Sequence, residues 1–316
     1  MNDITLSQRV QRVKPSPTLA VTTRAAELRA AGQDIIGLGA GEPDFDTPDH
    51  IKQAAMRAIE AGATRYTAVD GTPELKSAII NKFRRDNGLT YKPEQILVSC
   101  GGKQSFYNLA QALLNPGDEV IIPAPYWVSY PDMVRLADGE PVIIKAGLEQ
   151  RFKITPQQLE AAITPKTRLF VINSPSNPTG VAYSRAELEA LAEVLLRHPQ
   201  ILVATDDMYE HILWTDEPFV NILNVCEELY PRTIVLNGVS KAYAMTGWRI
   251  GYAGGPEPLM KAMKKIQSQS TSNPAAVSQA AAVEALDGDQ SCIAPMLQAF
   301  KERHAYLVDA LNALPG

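Results

Sequence analysis

Cysteine is scarce in this sequence, and long apolar runs are missing. Cys100, Cys226 and Cys292 lie far apart and none belongs to a CxxC pair, so neither a zinc site nor a disulfide framework is predicted. No uncharged apolar stretch reaches the roughly 18 residues that span a bilayer, and the first residues lack the apolar core of a signal peptide. We therefore expect a cytoplasmic protein without a membrane partner.

A strong excess of charge of either sign is also absent. The sequence has 30 Lys and Arg residues against 35 Asp and Glu residues, a net charge of -5. This balance does not favour a nucleic-acid partner. Hydrophobic residues make up 45% and charged residues 21% of the 316 positions, as in soluble globular proteins. A chain of this length is predicted to form one large domain with a smaller companion.

Short apolar runs alternate with helical patterns through most of the chain. The runs have the length and composition of buried strands. They lie at residues 96–99, 118–122, 141–145, 169–173, 201–205, 233–236 and 250–253. This alternation predicts an α/β fold, in which a mostly parallel sheet carries helices on both faces. In such a sheet the carboxyl ends of the strands meet at one edge, where ligands bind.

Several of these runs adjoin side chains with distinctive chemistry. Lys241 follows the run 233–236, and partial desolvation there lowers the pKa of a lysine and suits it to form a Schiff base. Arg249 precedes the last run and offers a two-pronged fork for a phosphate. Gly101 and Gly102 open a helix whose free N–H groups also suit a phosphate, although a tight turn explains them equally well.

Two other patterns are less specific. Gly39 and Gly41 match part of a dinucleotide fingerprint, but the third glycine is missing and Pro43 stands where a helix should begin. The acidic run 206–211 lacks the HExxH spacing of a metal site, and in an extended segment its side chains alternate between two faces. No metal site is therefore predicted. Asp206, at the carboxyl end of a strand, is expected to contact a ligand instead.

The groups expected at this edge of the sheet fit a single cofactor. They are an aromatic ring, an amide, an acid, a phenol, an amine and two phosphate-binding elements: Trp127, Asn177, Asp206, Tyr209, Lys241, Gly101 with Gly102, and Arg249. Pyridoxal phosphate requires a Schiff-base lysine, an acid on its pyridinium nitrogen and a phosphate cradle. The sequence therefore predicts pyridoxal 5'-phosphate as the cofactor.

Five motifs, in order along the chain, resemble those of a known family. They are AGEPDFDTP, GGKQ, PYWVSYP, NSPSNPTG and SKAYAMTGWRIGY. From residue 14 onward the chain is similar to the class I aminotransferases of fold type I, and specifically to their bacterial aspartate aminotransferase branch. The resemblance implies transamination between an amino acid, aspartate or glutamate, and a 2-oxo acid, with pyridoxal phosphate as the cofactor.

The resemblance also implies roles for individual residues. Lys241 would form the Schiff base and then move a proton between substrate and cofactor, while Asp206 would keep the pyridine nitrogen protonated. Tyr209 and Asn177 would hydrogen-bond the ring oxygen, and Trp127 would stack on the ring. Catalysis is therefore expected to depend on Lys241, Asp206 and Tyr209.

Phosphate and substrate contacts are implied in the same way. The family resemblance assigns the phosphate to the backbone of Gly102 and Lys103 and to the side chains of Ser240 and Arg249. Tyr66 is similar to a family tyrosine that reaches the phosphate of the neighbouring subunit, so a homodimer with shared active sites is implied. The residues expected to bind the substrate, with the lysine on its distal carboxylate, are Gly41, Trp127, Asn177 and Lys103.

Two domains are expected from the same resemblance. Residues 1–47 would form the N-terminal arm and part of the small domain, 48–290 the large cofactor-binding domain, and 291–316 the start of the C-terminal part of the small domain. We expect the rest of the small domain, with the family's arginine for the substrate α-carboxylate, to be absent. Gly238 stands where some relatives have a phosphate-binding serine.

Several alternatives to aspartate transamination stay open. Enzymes with similar motifs also use prephenate or aromatic amino acids, and carbon–sulfur lyases share this fold and its lysine. Some regulators use the fold as an effector-binding domain behind a DNA-binding module, but no such module is expected before residue 14. A truncated fragment would bind the cofactor without turnover.

Overall fold

A seven-stranded sheet forms the centre of the computed structural model, which describes residues 4–37, Gly39 and residues 41–315. The strands are β1 (Ile96–Ser99), β2 (Glu119–Ala124), β3 (Glu140–Lys145), β4 (Thr167–Asn173), β5 (Leu202–Asp206), β6 (Thr233–Gly238) and β7 (Gly251–Gly254). Every predicted strand is present, which confirms the α/β expectation. Ala40, which opens the AGEPDFDTP motif, lies outside the described residues, as do the ends of the predicted N-terminal and C-terminal segments, 1–3 and 316.

One strand of the sheet runs against the others. The order is β1-β7-β6-β5-β4-β2-β3. Strands β2 to β6 pair in parallel, whereas β7 pairs antiparallel with both β1 and β6. The beginning of β7 therefore lies at the same edge of the sheet as the carboxyl ends of its neighbours.

Helices cover both faces of this sheet. In the described part of the chain they are α1 (Gln8–Gln11), α2 (Pro17–Ala30), α3 (Asp49–Glu60), α4 (Pro73–Asn87), α5 (Gly102–Leu113), α6 (Ser129–Leu136), α7 (Pro156–Ala162), α8 (Arg185–Arg197), α9 (Glu257–Ser268), α10 (Ala276–Asp287) and α11 (Ile293–Asn312). Successive strand side chains point to opposite faces. Leu97 thus joins the apolar core beneath α5, α6 and α9, and Val98 the core beneath α3, α4, α8 and α10.

Burial on both faces explains why the strands read as continuous apolar runs rather than as alternating patterns. All six residues of β6 are buried, and so are all four residues of β7. Polar residues then follow directly where the central strands end. Within the described residues, no helix combines the length and the apolar character needed to cross a membrane.

Candidate active site

The predicted site residues lie where β4, β5 and β6 end and where β7 begins. Asn173 pairs in register with Asp206, and Asp206 pairs with Leu236. Gly251, the first residue of β7, pairs with the last residues of both β6 and β1. The polar residues that adjoin these strand ends are therefore brought to one edge of the sheet.

Lys241 follows β6 by three residues and is half-buried. Its ammonium Nζ donates a hydrogen bond of 2.5 Å to the backbone oxygen of Gly41 and lies 5.9 Å from the centre of the Tyr209 ring. Burial lowers the pKa of Lys241; nearby Glu42 opposes this effect and Arg249 adds to it. A lowered pKa increases the fraction of neutral amine, which is the nucleophilic form.

Asp206 ends β5 with its carboxylate at the same edge. Oδ2 accepts a hydrogen bond of 2.5 Å from the hydroxyl of Tyr130, and Oδ1 accepts one of 3.3 Å from the backbone N–H of Met208. Burial raises the pKa of this carboxyl group, while the two hydrogen bonds act in the opposite direction. The charged form of the Asp206 carboxylate is therefore stabilised by its two hydrogen-bond donors.

Asn173 connects two of the predicted residues. Its amide nitrogen donates to the backbone oxygen of Asp206 at 2.9 Å, and its Oδ1 accepts from the backbone N–H of Asn177 at 2.7 Å. The side-chain amide of Asn177 in turn donates to the phenol of Tyr209 at 3.4 Å. Burial, followed by the charge of Asp206, raises the pKa of Tyr209 to about 12. An amide and a neutral phenol are thus held side by side.

The Arg249 guanidinium lies against Gly101 at the start of α5. Gly101 has a φ of 86°, and a Cβ at this position would lie 2.0 Å from the guanidinium Nη2 of Arg249. Arg249 is exposed, donates to the backbone oxygens of Thr246 and Cys100, and makes no ion pair among the described residues. The arginine therefore reaches this glycine because the glycine has no side chain.

Backbone amides at the same place add to the positive potential. The first N–H of α5 that bonds back to Gly101 is that of Gln104, so the amides of Gly102 and Lys103 precede the hydrogen-bonded turn. Free amides at a helix N-terminus attract anions.

Ser240, the remaining residue predicted to bind the phosphate, lies next to Lys241 and is 7% exposed.

Lys103 and Trp127 lie together beside these groups. The Lys103 ammonium is 5.2 Å from the centre of the Trp127 ring, and this ring packs edge-on against Tyr130 at 5.2 Å. Lys103 is exposed, and its pKa is lowered by partial burial and then by Arg249. A cation and an apolar surface therefore border the same space.

Tyr66 lies apart from the other predicted residues. Its side chain is 93% exposed and borders a groove formed with Arg65, Asn273 and residues 275–277. Most loop tyrosines pack against their own chain, whereas the Tyr66 side chain is exposed to solvent.

The acidic run 206–211 does not follow the expected alternation. The strand ends at Asp206 and the chain turns, so Glu210 and His211 come together with Asp86 within 4.8 Å instead of facing apart. This is the kind of group that can hold a metal. However, the Lys82 ammonium contacts the Glu210 carboxylate, and the Arg85 guanidinium binds Asp86 at 2.6 Å. Two side-chain cations thus already balance the two carboxylates.

Sequence reasoning did not identify Tyr130 or Asn173 as site residues. Both lie inside the recognised motifs PYWVSYP and NSPSNPTG, but neither the spacing nor the residue type shows which neighbour they contact. The groups assembled at this edge fit pyridoxal phosphate. They are the half-buried amine of Lys241 after β6, the carboxylate of Asp206 on the adjacent strand β5, and the exposed Arg249 beside free helix amides.

Comparison with known proteins agrees with this geometry. The family model described as "Aminotransferase class I and II" matches residues 33–316. An aspartate/prephenate aminotransferase from Nitrosomonas europaea is 66% identical over 311 residues, which are 98% of this chain and 78% of the relative.

Solved structures extend the likeness to three dimensions. The crystal structure of an aspartate aminotransferase from Rhizobium meliloti has a TM-score of 0.96 at 52% identity, over 99% of this chain and 78% of that one. The Thermus thermophilus aspartate aminotransferase solved with maleate has a TM-score of 0.94 at 46% identity, over 98% and 81%. The likeness therefore covers nearly all of this chain.

Proposed function

Because this chain belongs to the class I and II aminotransferase family, we propose that it transfers the amino group of aspartate to a 2-oxo acid. The family's cofactor is pyridoxal phosphate. The observation that carries the proposal is that Asp206, which ends β5, and Lys241, three residues after the adjacent strand β6, lie at one edge of the sheet.

The proposed roles follow from the chemistry of each group. Bound pyridoxal phosphate supplies an aldehyde that condenses with amines and a ring that withdraws electrons. Lys241 provides the amine and, once released, holds or returns the proton of the substrate carbon. Asp206 would hold a proton on the ring nitrogen. Asn177 and Tyr209 would donate toward the ring oxygen, and Trp127 would cover the ring face.

The remaining roles concern the two ends of the site. We assign the phosphate to Arg249, Ser240 and the amides of Gly102 and Lys103, since free helix amides attract phosphate, as does a guanidinium that makes no ion pair among the described residues. Gly41, Trp127 and Asn177 would contact the substrate, and the Lys103 ammonium would attract its distal carboxylate. Maleate, the molecule solved with the Thermus enzyme, is likewise a dicarboxylate, which supports aspartate as the substrate.

We further propose a cytoplasmic homodimer. Tyr66 is 93% exposed and lies outside the group around Lys241. An exposed tyrosine is suited to reach across a subunit interface, and the family resemblance assigns it to the partner's phosphate.

The test of this function is the first half-reaction. Protein loaded with pyridoxal phosphate and mixed with aspartate alone should form one oxaloacetate per bound cofactor and change the cofactor's absorption spectrum. Adding 2-oxoglutarate should restore the spectrum and form glutamate. In a parallel reaction with cysteine in place of aspartate and no acceptor, pyruvate, ammonia and sulfide released in excess of the cofactor would indicate elimination and contradict transamination.

A second candidate is that prephenate accepts the amino group. The relatives from Nitrosomonas europaea and Cereibacter sphaeroides, at 66% and 63% identity, are both named aspartate/prephenate aminotransferases. Rates of nitrogen transfer from ¹⁵N-aspartate to prephenate and to 2-oxoglutarate, measured side by side, separate the two. A higher kcat/KM for prephenate would favour this candidate.

Substitution of Gly101 by Ala tests the proposed phosphate site. A Cβ here would displace Arg249, so we expect affinity for pyridoxal phosphate to fall roughly 10- to 100-fold, the effect of losing one hydrogen bond to a charged group. The matched control is Gly117→Ala, because Gly117 has a φ of 88° but no atom within 4 Å of the added Cβ. Equal dissociation constants for the two variants would contradict the assignment.

A further inference from the structure

Tyr130 is held firmly beside the proposed acid. It lies on α6, is 1% exposed, and packs its ring against Phe106 at 4.9 Å and Trp127 at 5.2 Å. Its hydroxyl donates to Oδ2 of Asp206 at 2.5 Å. Because the ring is fixed on two sides, the direction of this hydrogen bond is fixed as well.

Asp206 has few other stabilising contacts. The titratable groups around it are Tyr130 from α6, and Asp207 and Tyr209 from its own turn. Among the residues that the structure describes, no Lys, Arg or His nitrogen lies within 4.0 Å of its carboxylate. A half-buried carboxylate without a cation is costly unless it accepts hydrogen bonds. The Met208 amide supplies one at 3.3 Å, and the Tyr130 hydroxyl supplies the shorter one.

We propose that Tyr130 is a positioning residue for Asp206, whose hydroxyl keeps this carboxylate ionised and fixes its orientation toward the ring nitrogen of the cofactor. The proposal rests on the role of Asp206 given above. A hydrogen bond from a hydroxyl to a carboxylate favours the charged form of the carboxylate. With pyridoxal phosphate bound, a carboxylate held in its charged form would leave the proton on the ring nitrogen, where it would strengthen the electron-withdrawing ring.

Substitution of Tyr130 by Phe removes this hydroxyl and keeps the packed ring. The pKa of Asp206 should rise, since one of the contacts that lowers it is lost. We expect kcat with aspartate to fall about 10- to 100-fold with little change in KM, which is the range for one hydrogen bond to a charged group. The carboxylate would then compete with the ring nitrogen for the proton.

The matched control is Tyr91→Phe. Tyr91 is also a buried tyrosine, 4% exposed, but its hydroxyl has no hydrogen-bond partner among the described residues. It precedes β1, at the opposite edge of the sheet from the site. Losing this hydroxyl should leave kcat, KM and the pKa of Asp206 unchanged, because an unpaired hydroxyl offers no bond to lose.

Three readouts do not depend on turnover. Carbon-13 NMR of aspartate-labelled protein without cofactor, assigned with Asp206→Asn, should give a higher pKa for Asp206 in Tyr130→Phe than in the unsubstituted protein. With cofactor bound, the pH titration of the absorption spectrum should move in Tyr130→Phe only. In a double-mutant cycle on cofactor affinity, Tyr130→Phe should have no further effect once Asp206 is Asn.

The outcomes separate this inference from the proposed function. An unchanged Asp206 pKa in Tyr130→Phe overturns the inference even if transamination proceeds normally. A shifted pKa in a protein that fails to transaminate aspartate supports the hydrogen bond and rejects the function. Additive effects in the double-mutant cycle would mean that Tyr130 acts independently of Asp206, which also overturns the inference.

Discussion

Protein carrying Lys241→Ala is expected to lose about 10⁴-fold in turnover with aspartate, the upper end of the range for a lost proton-transfer group. The half-buried amine has a lowered pKa and lies beside Tyr209, so it combines nucleophile and base in one group. Alanine supplies neither function. Single-turnover kinetics with aspartate measure the loss.

Covalent attachment of the cofactor gives an independent measurement. Borohydride reduction followed by peptide mapping should find the cofactor on Lys241 in the unsubstituted protein and no adduct in Lys241→Ala. The control is Lys103→Ala, because Lys103 is another lysine at this edge and its ammonium lies over Trp127. This control should keep the adduct. An adduct mapped to Lys103 would reject the assignment of Lys241.

Protein carrying Asp206→Ala is expected to lose roughly 10³-fold in kcat, as when a preorganised electrostatic group is removed from an active site. The carboxylate is the acid at the end of β5, next to the strand that leads to Lys241. Without it, no group on that strand end can hold a proton on the ring nitrogen. Part of the cofactor affinity should remain, because the arginine and the helix amides are unchanged.

Asp206→Asn is the control that separates charge from hydrogen bonding. Asparagine keeps the size of the side chain and an oxygen that can accept from Tyr130, but it carries no charge. We expect its kcat to fall nearly as far as that of the alanine variant. A rate close to that of the unsubstituted protein would show that the charge is not needed and would reject the proposed role.

The strands, and the polar residues that follow them, were predictable from the local sequence pattern. Strands β4, β5 and β6 are buried on both faces, so their sequences must be continuously apolar, and the polar residue that ends each run is visible at once. Asp206 was found in this way, whereas Asn177 and Lys241 were found in the polar segments that follow β4 and β6. The motifs that resemble the aminotransferases lie at these same positions.

The position of Arg249 could not be derived in this way. An apolar run of four residues gives no sign of its direction in a sheet, and the prediction of a mostly parallel sheet made no distinction for β7. Because β7 runs antiparallel to β6 and β1, the residues before it, and not those after it, lie at the ligand-binding edge. The arginine reaches Gly101 for that reason.

The run 206–211 shows the opposite error. Alternation of side chains holds only while the chain stays extended. Here β5 ends at Asp206, the first residue of the run. The turn that follows brings Glu210 and His211 to Asp86, which no period-two reading predicts.

The sequence by itself determined which chemical groups stand at the strand ends, and therefore the family and its cofactor. The requirement that buried strands be apolar makes each polar interruption informative. Only the tertiary structure decided which groups touch: Tyr130 reaches Asp206 across 76 positions of sequence, and Lys241 reaches the backbone oxygen of Gly41 across 200. Such contacts arise when separate helices and loops pack on one sheet, and local periodicity carries no record of that packing.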